Sequence, residues 1–224
     1  MKSCLSESLS LDSPAFAVDQ RSREILGRIK SVFSAKGFDG ASMQDLALAA
    51  GMSAGNFYRY FPSKKAIIEA LVQLDLERAE REFEQIITSP NPRKAFRDIV
   101  KGRVETLHCD SGPIWAEIDA ASFRRPEIAA LLRQMETHVC GKIIGVFARI
   151  AGVPVSTAEQ RFLAQARLIM LLIHGLSMMS RASDGELQRA SNRDLAALVI
   201  DIIDQTVGNL PESAKARADG NAHA

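Results

Sequence analysis

The sequence predicts an all-α chain in two parts, a small three-helix domain followed by a six-helix bundle. Three observations lead there. Apolar residues recur at helical spacing, as in Ile25, Ile29, Val32 and Phe33, and no stretch shows strand alternation or an internal repeat. Cap and stop residues divide the chain into nine helical segments. The punctuation is densest over residues 42–65, SMQDLALAAGMSAGNFYRYFPSKK, which reads as two short helices, a sharp turn and the start of a third helix. The expected boundaries are a disordered arm at 1–18, a helix-turn-helix domain at 19–65, a bundle at 66–208 and a disordered polar tail at 209–224.

The elements follow in order. Residues 1–18 are Ser-rich, and they lack the continuous apolar segment of a secretory signal. A helix begins at Asp19 and stops at Gly37, with Phe38 folding back on its last turn. Ser42 caps the next helix, and Asp45 returns the bond as a capping box. Gly51 supplies the left-handed residue of the turn, Met52 an apolar plug, and Ser53 the next cap. Phe33, Phe38, Leu46, Met52, Phe57 and Phe61 are the expected core of this domain. Ser63 caps a long helix to about Ser89, a natural lever between the two parts. Asn91 with Pro92 starts a helix to about Cys109, and a break at 111–113 leads to a short helix at 114–123. Pro126 opens a helix to about Ala151. Ser156 with Glu159 reads as a second capping box, before the most apolar helix of the chain. Residues 182–191 read as a polar loop, and Asn192 as the cap of a last helix that Gly208 ends.

The helix after the turn carries the chemistry. A plain helical hairpin would waste core volume on Ala54, Gly55 and Asn56. Those residues let a helix approach base edges closely, and Asn is a bidentate partner for adenine. Tyr58, Arg59 and Tyr60 suit phosphates. Lys64 and Lys65 stand at a helix N-terminus, where the dipole disfavours cations, so an anionic partner explains them most simply. Net charge is only +1, but residues 20–65 hold eight Lys/Arg against three Asp/Glu. The positive surplus therefore sits where DNA would meet the chain.

These residues resemble the TetR family of bacterial one-component transcriptional regulators. The resemblance covers residues 20–75 and rests on the alanine-glycine turn, Ser-x-Gly, aromatic-Tyr-x-aromatic-Phe and Ser-Lys. Residues 76–224 match only in helix number and order. Met52, Asn56 and Tyr60 depart from the family's usual Val, Thr and His. The resemblance implies a homodimer that places two recognition helices in successive major grooves of a palindromic double-stranded operator. Position by position, it implies phosphate contacts for Ser42, Ser53, Tyr58 and Lys64. It places Ala54, Gly55, Asn56 and Arg59 at base edges or nearby phosphates. It also implies a small-molecule effector that shifts the population away from the DNA-competent state, repression being the family's usual sign.

The apolar helix at 157–181 and the last helix are the expected dimer surface, through Leu172, Leu176, Met179, Leu195, Leu198 and Ile202. Trp115, Asp119, Phe123, Met135, His138, Arg167, Met170 and His174 are the expected lining of an adaptable, largely apolar effector site, with His174 read as a core histidine and Asp119 free to pair with Arg167. Gly141 and Gly145 offer either close helix packing or ligand room. No nucleophile elbow, HExxH, P-loop or dinucleotide fingerprint is present, so an enzyme is not expected, and neither a cofactor nor a metal. Cys4, Cys109 and Cys140 are too scattered for a disulfide framework, and buried inert thiols are expected. No apolar run reaches membrane-spanning length, and a cytoplasmic protein is expected. Two alternatives remain open, control by a protein partner and control by oxidation of Cys109 or Cys140.

Overall fold

The computed structural model describes residues 18–106, 112–179 and 186–211. Among the described residues the chain is all-helical: α1 (Gln20–Gly40), α2 (Met43–Ala49), α3 (Ala54–Tyr60), α4 (Lys64–Thr88), α5 (Pro92–Thr106), α6 (Gly112–Ser122), α7 (Pro126–Ala151), α8 (Val155–Met179) and α9 (Glu186–Gly208). Local chemistry explains most boundaries. The Asp19 carboxylate accepts the Ser22 N–H at 2.9 Å and starts α1. Gly37 breaks α1 near its end at φ 71°, and Phe38 stacks on Phe33 at 5.9 Å. Asn91 Oδ1 accepts the Lys94 N–H at 3.0 Å and caps α5. Gly152, at φ 66°, closes α7.

Four expectations change. The α8 helix begins at Val155, with the Ala158 N–H on the Pro154 carbonyl at 3.0 Å, so Ser156 lies inside the first turn and is not its cap. The α9 helix begins at Glu186, within the stretch read as loop, and Asn192 is a buried residue inside it. Glu186, Leu187, Gln188, Arg189 and Ala190 are strong helix formers, and their propensity outweighs the polar look of the segment. Residue 18 is not free, since its N–H reaches Glu77 Oε1 at 3.2 Å. Leu210 is buried, and its carbonyl accepts from Arg93 Nη2 at 2.9 Å. The arm at 1–17, the tail at 212–224, Cys4 and Cys109 lie outside the described residues.

Two apolar cores form. The first gathers Ile25, Ile29 and Phe33 of α1, Leu46 of α2, Phe57 of α3, and Ile67, Ile68 and Leu71 of α4. It continues into Ile114 and Ile118 of α6 and Ile128 of α7. The second joins the far end of α4 to α5, α7, α8 and α9, with Phe147 edge-on to Phe96 at 6.0 Å and to Phe162 at 6.4 Å. Val139 packs against both. Each fully buried Phe or Ile contributes on the order of 2–3 kcal/mol of transfer free energy. The N-terminal domain therefore has no separate core, and its apolar interior runs on past residue 65 into α6. No single helix among the described residues is long and apolar enough to cross a membrane.

Candidate nucleic-acid interface

The capping box at Ser42 is complete. Its Oγ accepts the Asp45 N–H at 3.1 Å, and its own N–H donates to Asp45 Oδ2 at 2.8 Å. Lys36 Nζ adds a 2.6 Å bond to Asp45 Oδ1. Lys36, then the Ser42 hydroxyl and amide, hold the Asp45 carboxyl far below the usual carboxylate range. The turn is set by Gly51 at φ 69°, with the Met52 N–H on Ala47 O at 2.9 Å. Arg28 Nη1 donates to Ala50 O at 3.1 Å, tying this turn to α1. Ser53 caps α3 more loosely, accepting the Asn56 N–H at 3.4 Å.

The α3 helix has two unlike faces. Phe57 is fully buried, and its ring meets Phe61 at 5.7 Å. Gly55, Asn56, Tyr58, Arg59 and Tyr60 are exposed, and Ala54 is half-buried. Gly55 has no backbone need to be glycine. Its φ is not positive, and nothing lies within 4 Å of where a Cβ would stand. Packing and backbone geometry within this chain thus leave the residue choice open, while an outside partner approaching the backbone would fix it.

The cations of residues 20–65 are mostly engaged inside the chain. Arg21 pairs with Glu24, Arg23 with Glu77, Lys36 with Asp45 and Lys65 with Glu69. Arg59 makes no ion pair or hydrogen bond among the described residues, and it stands on the exposed face of α3. Lys64 corrects a sequence inference. Its Nζ donates to Phe38 O at 2.7 Å and Asp39 O at 3.0 Å and sits 5.3 Å from the centre of the Phe38 ring. Burial, with Arg125 adding to it, lowers the ammonium's pKa. An anion is not needed to explain this lysine, because the carbonyls ending α1 already supply the negative ends of dipoles that its helix start lacks. Sequence spacing held no sign of a contact between residues so far apart in the chain.

Residues 25–71 match the family described as bacterial regulatory proteins, tetR family. The N-terminal domain belongs to the TetR family. The HTH-type transcriptional regulator UidR of Escherichia coli is 34% identical over 112 residues, 49% of this chain and 55% of that protein. The HTH-type transcriptional regulator EthR of Mycolicibacterium smegmatis is 36% identical over 81 residues, 35% of this chain and 37% of that one. The matched stretch thus spans about half the length or less of these relatives. In fold, the chain is similar to GusR of Salmonella enterica, with TM-score 0.63, 21% identity, and coverage of 84% of this chain and 95% of that one. It is likewise similar to a TetR transcription regulator of Haloarcula marismortui, with TM-score 0.62, 15% identity and coverage of 81% and 97%.

Behind the TetR-family domain, the residues expected to line an effector site do not converge. Trp115 and Met135 pack on the first core, whereas Met170 packs on the second. Phe123 lies just past the end of α6 with 89% of its surface exposed, so it lines no interior. His174 is exposed and not a core residue, and its Nε2 lies 3.6 Å from Asp119 Oδ2. Arg167 is exposed on α8. His138 Nε2 and Lys142 Nζ both meet Glu80, at 2.5 and 2.7 Å, in the seam between α4 and α7. Burial alone would raise the Glu80 carboxyl; Lys142 and His138 outweigh it and hold it low. The seam opens into a surface depression of about 340 Å³ lined by Phe83, Glu84, Ile87 and Lys142 among others. A Cβ placed on Gly141 or Gly145 would meet nothing within 4 Å, so they are not close-packing points. Cys140 forms no disulfide and is half-buried on α7.

The expected dimer residues divide. Leu176 is buried inside the chain, and Leu172 and Leu195 pack on the second core. Leu198 and Ile202 are exposed at 58% and 42%, and α8 adds Leu168 and Leu171, which the sequence reading missed. The Met179 side chain lies outside the described residues. An apolar helix hides which of its leucines face inward, because Leu repeats at too many helical positions for the period to select one stripe.

Proposed function

We propose that this chain is a sequence-specific, DNA-binding transcriptional regulator that works as a homodimer on a palindromic operator. The observation that carries the reading is the exposed face of α3, where Gly55, Asn56 and Arg59 stand out with no structural duty inside the chain. Asn56 and Arg59 read base edges in the major groove, with Ala54 and Gly55 admitting the close approach. Tyr58, Tyr60, Ser42 and Ser53 meet phosphates, and the hydrogen of Lys64 that is not on a carbonyl can reach one too. The exposed leucines of α8 and the Leu198–Ile202 face of α9 meet their copies in the dimer.

Repression relieved by a small, largely apolar effector is the regulatory scheme we adopt, with the cytoplasm as its site of action. Trp115 and Met135 pack on one core and Met170 on the other, so an effector that touches all three must part the two cores to enter. A second reading, in which a protein partner docks on the bundle, is favoured by the failure of the expected lining residues to converge. The deciding experiment is selection of bound duplexes from a random library at near-physiological salt. A palindromic consensus supports the reading. A pool without consensus from ligand-free protein defeats sequence-specific DNA binding.

A further inference from the structure

Residues 37–39, at and just past the break in α1, lead into the helix-turn-helix, and they are gripped from three sides. Glu117 of α6 accepts the Phe38 N–H on Oε2 at 3.0 Å, and a Cβ on Gly37 would stand 3.0 Å from that same oxygen. Lys64 of α4 holds the Phe38 and Asp39 carbonyls. The Asp39 carboxylate is divided between two arginines, Oδ2 taking Arg124 Nη2 and Oδ1 taking Arg125 Nη2, each at 2.8 Å. The Arg124 and Arg125 amides are both bonded to the Ala121 carbonyl, at 3.0 and 2.9 Å, so the corner carrying them is itself fixed. Arg125 also lies 5.4 Å from the centre of the buried Phe38 ring. Two residues beyond Asp39 comes buried Ala41, and then Ser42, the cap of α2.

These side chains are about half exposed, with Asp39 at 46%, Arg124 at 57% and Arg125 at 44%. Exposed pairs of this kind add little to overall stability, so two guanidiniums on one carboxylate need another reason. A carboxylate held at both oxygens is fixed in direction as well as position. We propose that Arg124 and Arg125 are positioning residues for DNA binding, latching Asp39 so that the α6–α7 corner sets the angle of the recognition helix relative to the bundle. The proposal rests on the dimeric, palindrome-reading function above. In such a dimer the bundle fixes the distance between two recognition helices. Loosening each latch lets each helix-turn-helix swing while leaving its own DNA-reading face intact.

The test uses full-length Asp39→Asn, Arg124→Gln/Arg125→Gln and the triple variant. Hydrogen exchange of residues 37–42 comes first, because it needs no DNA. Faster exchange there, at least threefold, with α3 unchanged is expected in all three, and unchanged exchange overturns the latch even if no operator is found. The selected palindrome, and the same duplex with one base pair inserted between half-sites, then give two affinities. The latch predicts that the ratio of the two Kd values falls at least threefold in every variant and no further in the triple. A ratio equal to wild type, or a loss that adds in the triple, overturns it. A general loss on both duplexes at constant ratio would assign these residues to DNA contact or folding instead.

Discussion

Gly55→Ala separates folding from DNA binding by sign. Residue 55 lies in the first turn of α3, with φ outside the positive region and no atom within 4 Å of the new methyl. Alanine therefore enters without strain and narrows the unfolded ensemble, a gain of about 0.4–1 kcal/mol. For a chain of this size that is a rise in Tm of roughly 1–4 °C. On DNA the same methyl projects from the exposed face beside Asn56 and Arg59. If the backbone there approaches base edges or phosphates to contact distance, the methyl displaces it and separates those two side chains from their partners. Losing one good bidentate pair is worth about 1–3 kcal/mol, a fall in affinity of roughly 5- to 150-fold. Scanning calorimetry and fluorescence anisotropy on the selected duplex give the two numbers. No folding defect produces higher stability together with weaker binding. A stabilised variant that binds as wild type would refute the placement of Gly55 against DNA, and a destabilised one would refute the reading of α3 itself.

Other outcomes follow from the same geometry. Lys64→Met keeps the aliphatic stem but removes the ammonium from the Phe38 and Asp39 carbonyls; it should cost about 1–2 kcal/mol and lower Tm in DNA-free protein, and an unchanged Tm would return this lysine to a purely phosphate-facing role. Asn56→Ala should lose about 1–3 kcal/mol at one base pair, read by repeating the selection, and a uniform loss at all positions would contradict base readout. Leu171→Glu with Leu198→Glu puts two charges on the exposed apolar faces of α8 and α9; light scattering at micromolar concentration should then give a monomer, and a persistent dimer places the interface elsewhere. Asp45 is held below its ordinary value of 3.8. Its stabilisation is complete above pH 4 and fades as acid protonates it, so Asp45→Asn should flatten the fall of Tm between pH 4 and pH 2 while lowering Tm at neutrality.

What could be read in advance was local. Capping chemistry works over three residues, so Ser42 with Asp45, Ser53, Ser63 and Asn91 were legible from spacing, as was the left-handed turn at Gly51, while the same spacing misled at Ser156 and Asn192, which lie inside their helices. The stripe of α1 was legible because its charged residues leave a single apolar face. What depended on tertiary contact was not. Lys64 looked like a phosphate ligand because the carbonyls it reaches lie 25 and 26 residues away. Phe123 looked like pocket lining because an aromatic at a helix end carries no sign of which way the chain turns next. Leu176 and Leu198 looked alike, yet one is interior and the other exposed, and only the crossing of α7, α8 and α9 decides that. The net charge also misled in one respect. The excess at residues 20–65 is present, but among the described residues its cations are largely paired, so Arg59 carries more of the argument than the sum does.

The continuity of the first core bears on how control can work. A helix-turn-helix domain with its own sealed interior could hinge on α4 alone. Here Phe33 and Phe38 share a cluster with Ile114 and Ile118 of α6, and Glu117 and the Arg124–Arg125 corner bind the end of α1 by polar contacts. Rotating the domain away from α6 as a rigid body would expose several buried side chains, at a cost of about 25 cal/mol per Å² of apolar surface. Sliding α6 by an ångström or two keeps that burial and still moves the cap at Ser42. In the regulatory scheme proposed above, a signal from the bundle thus has two low-cost routes to the recognition helix, α6 and α4, since both pack on the first core and both hold the end of α1.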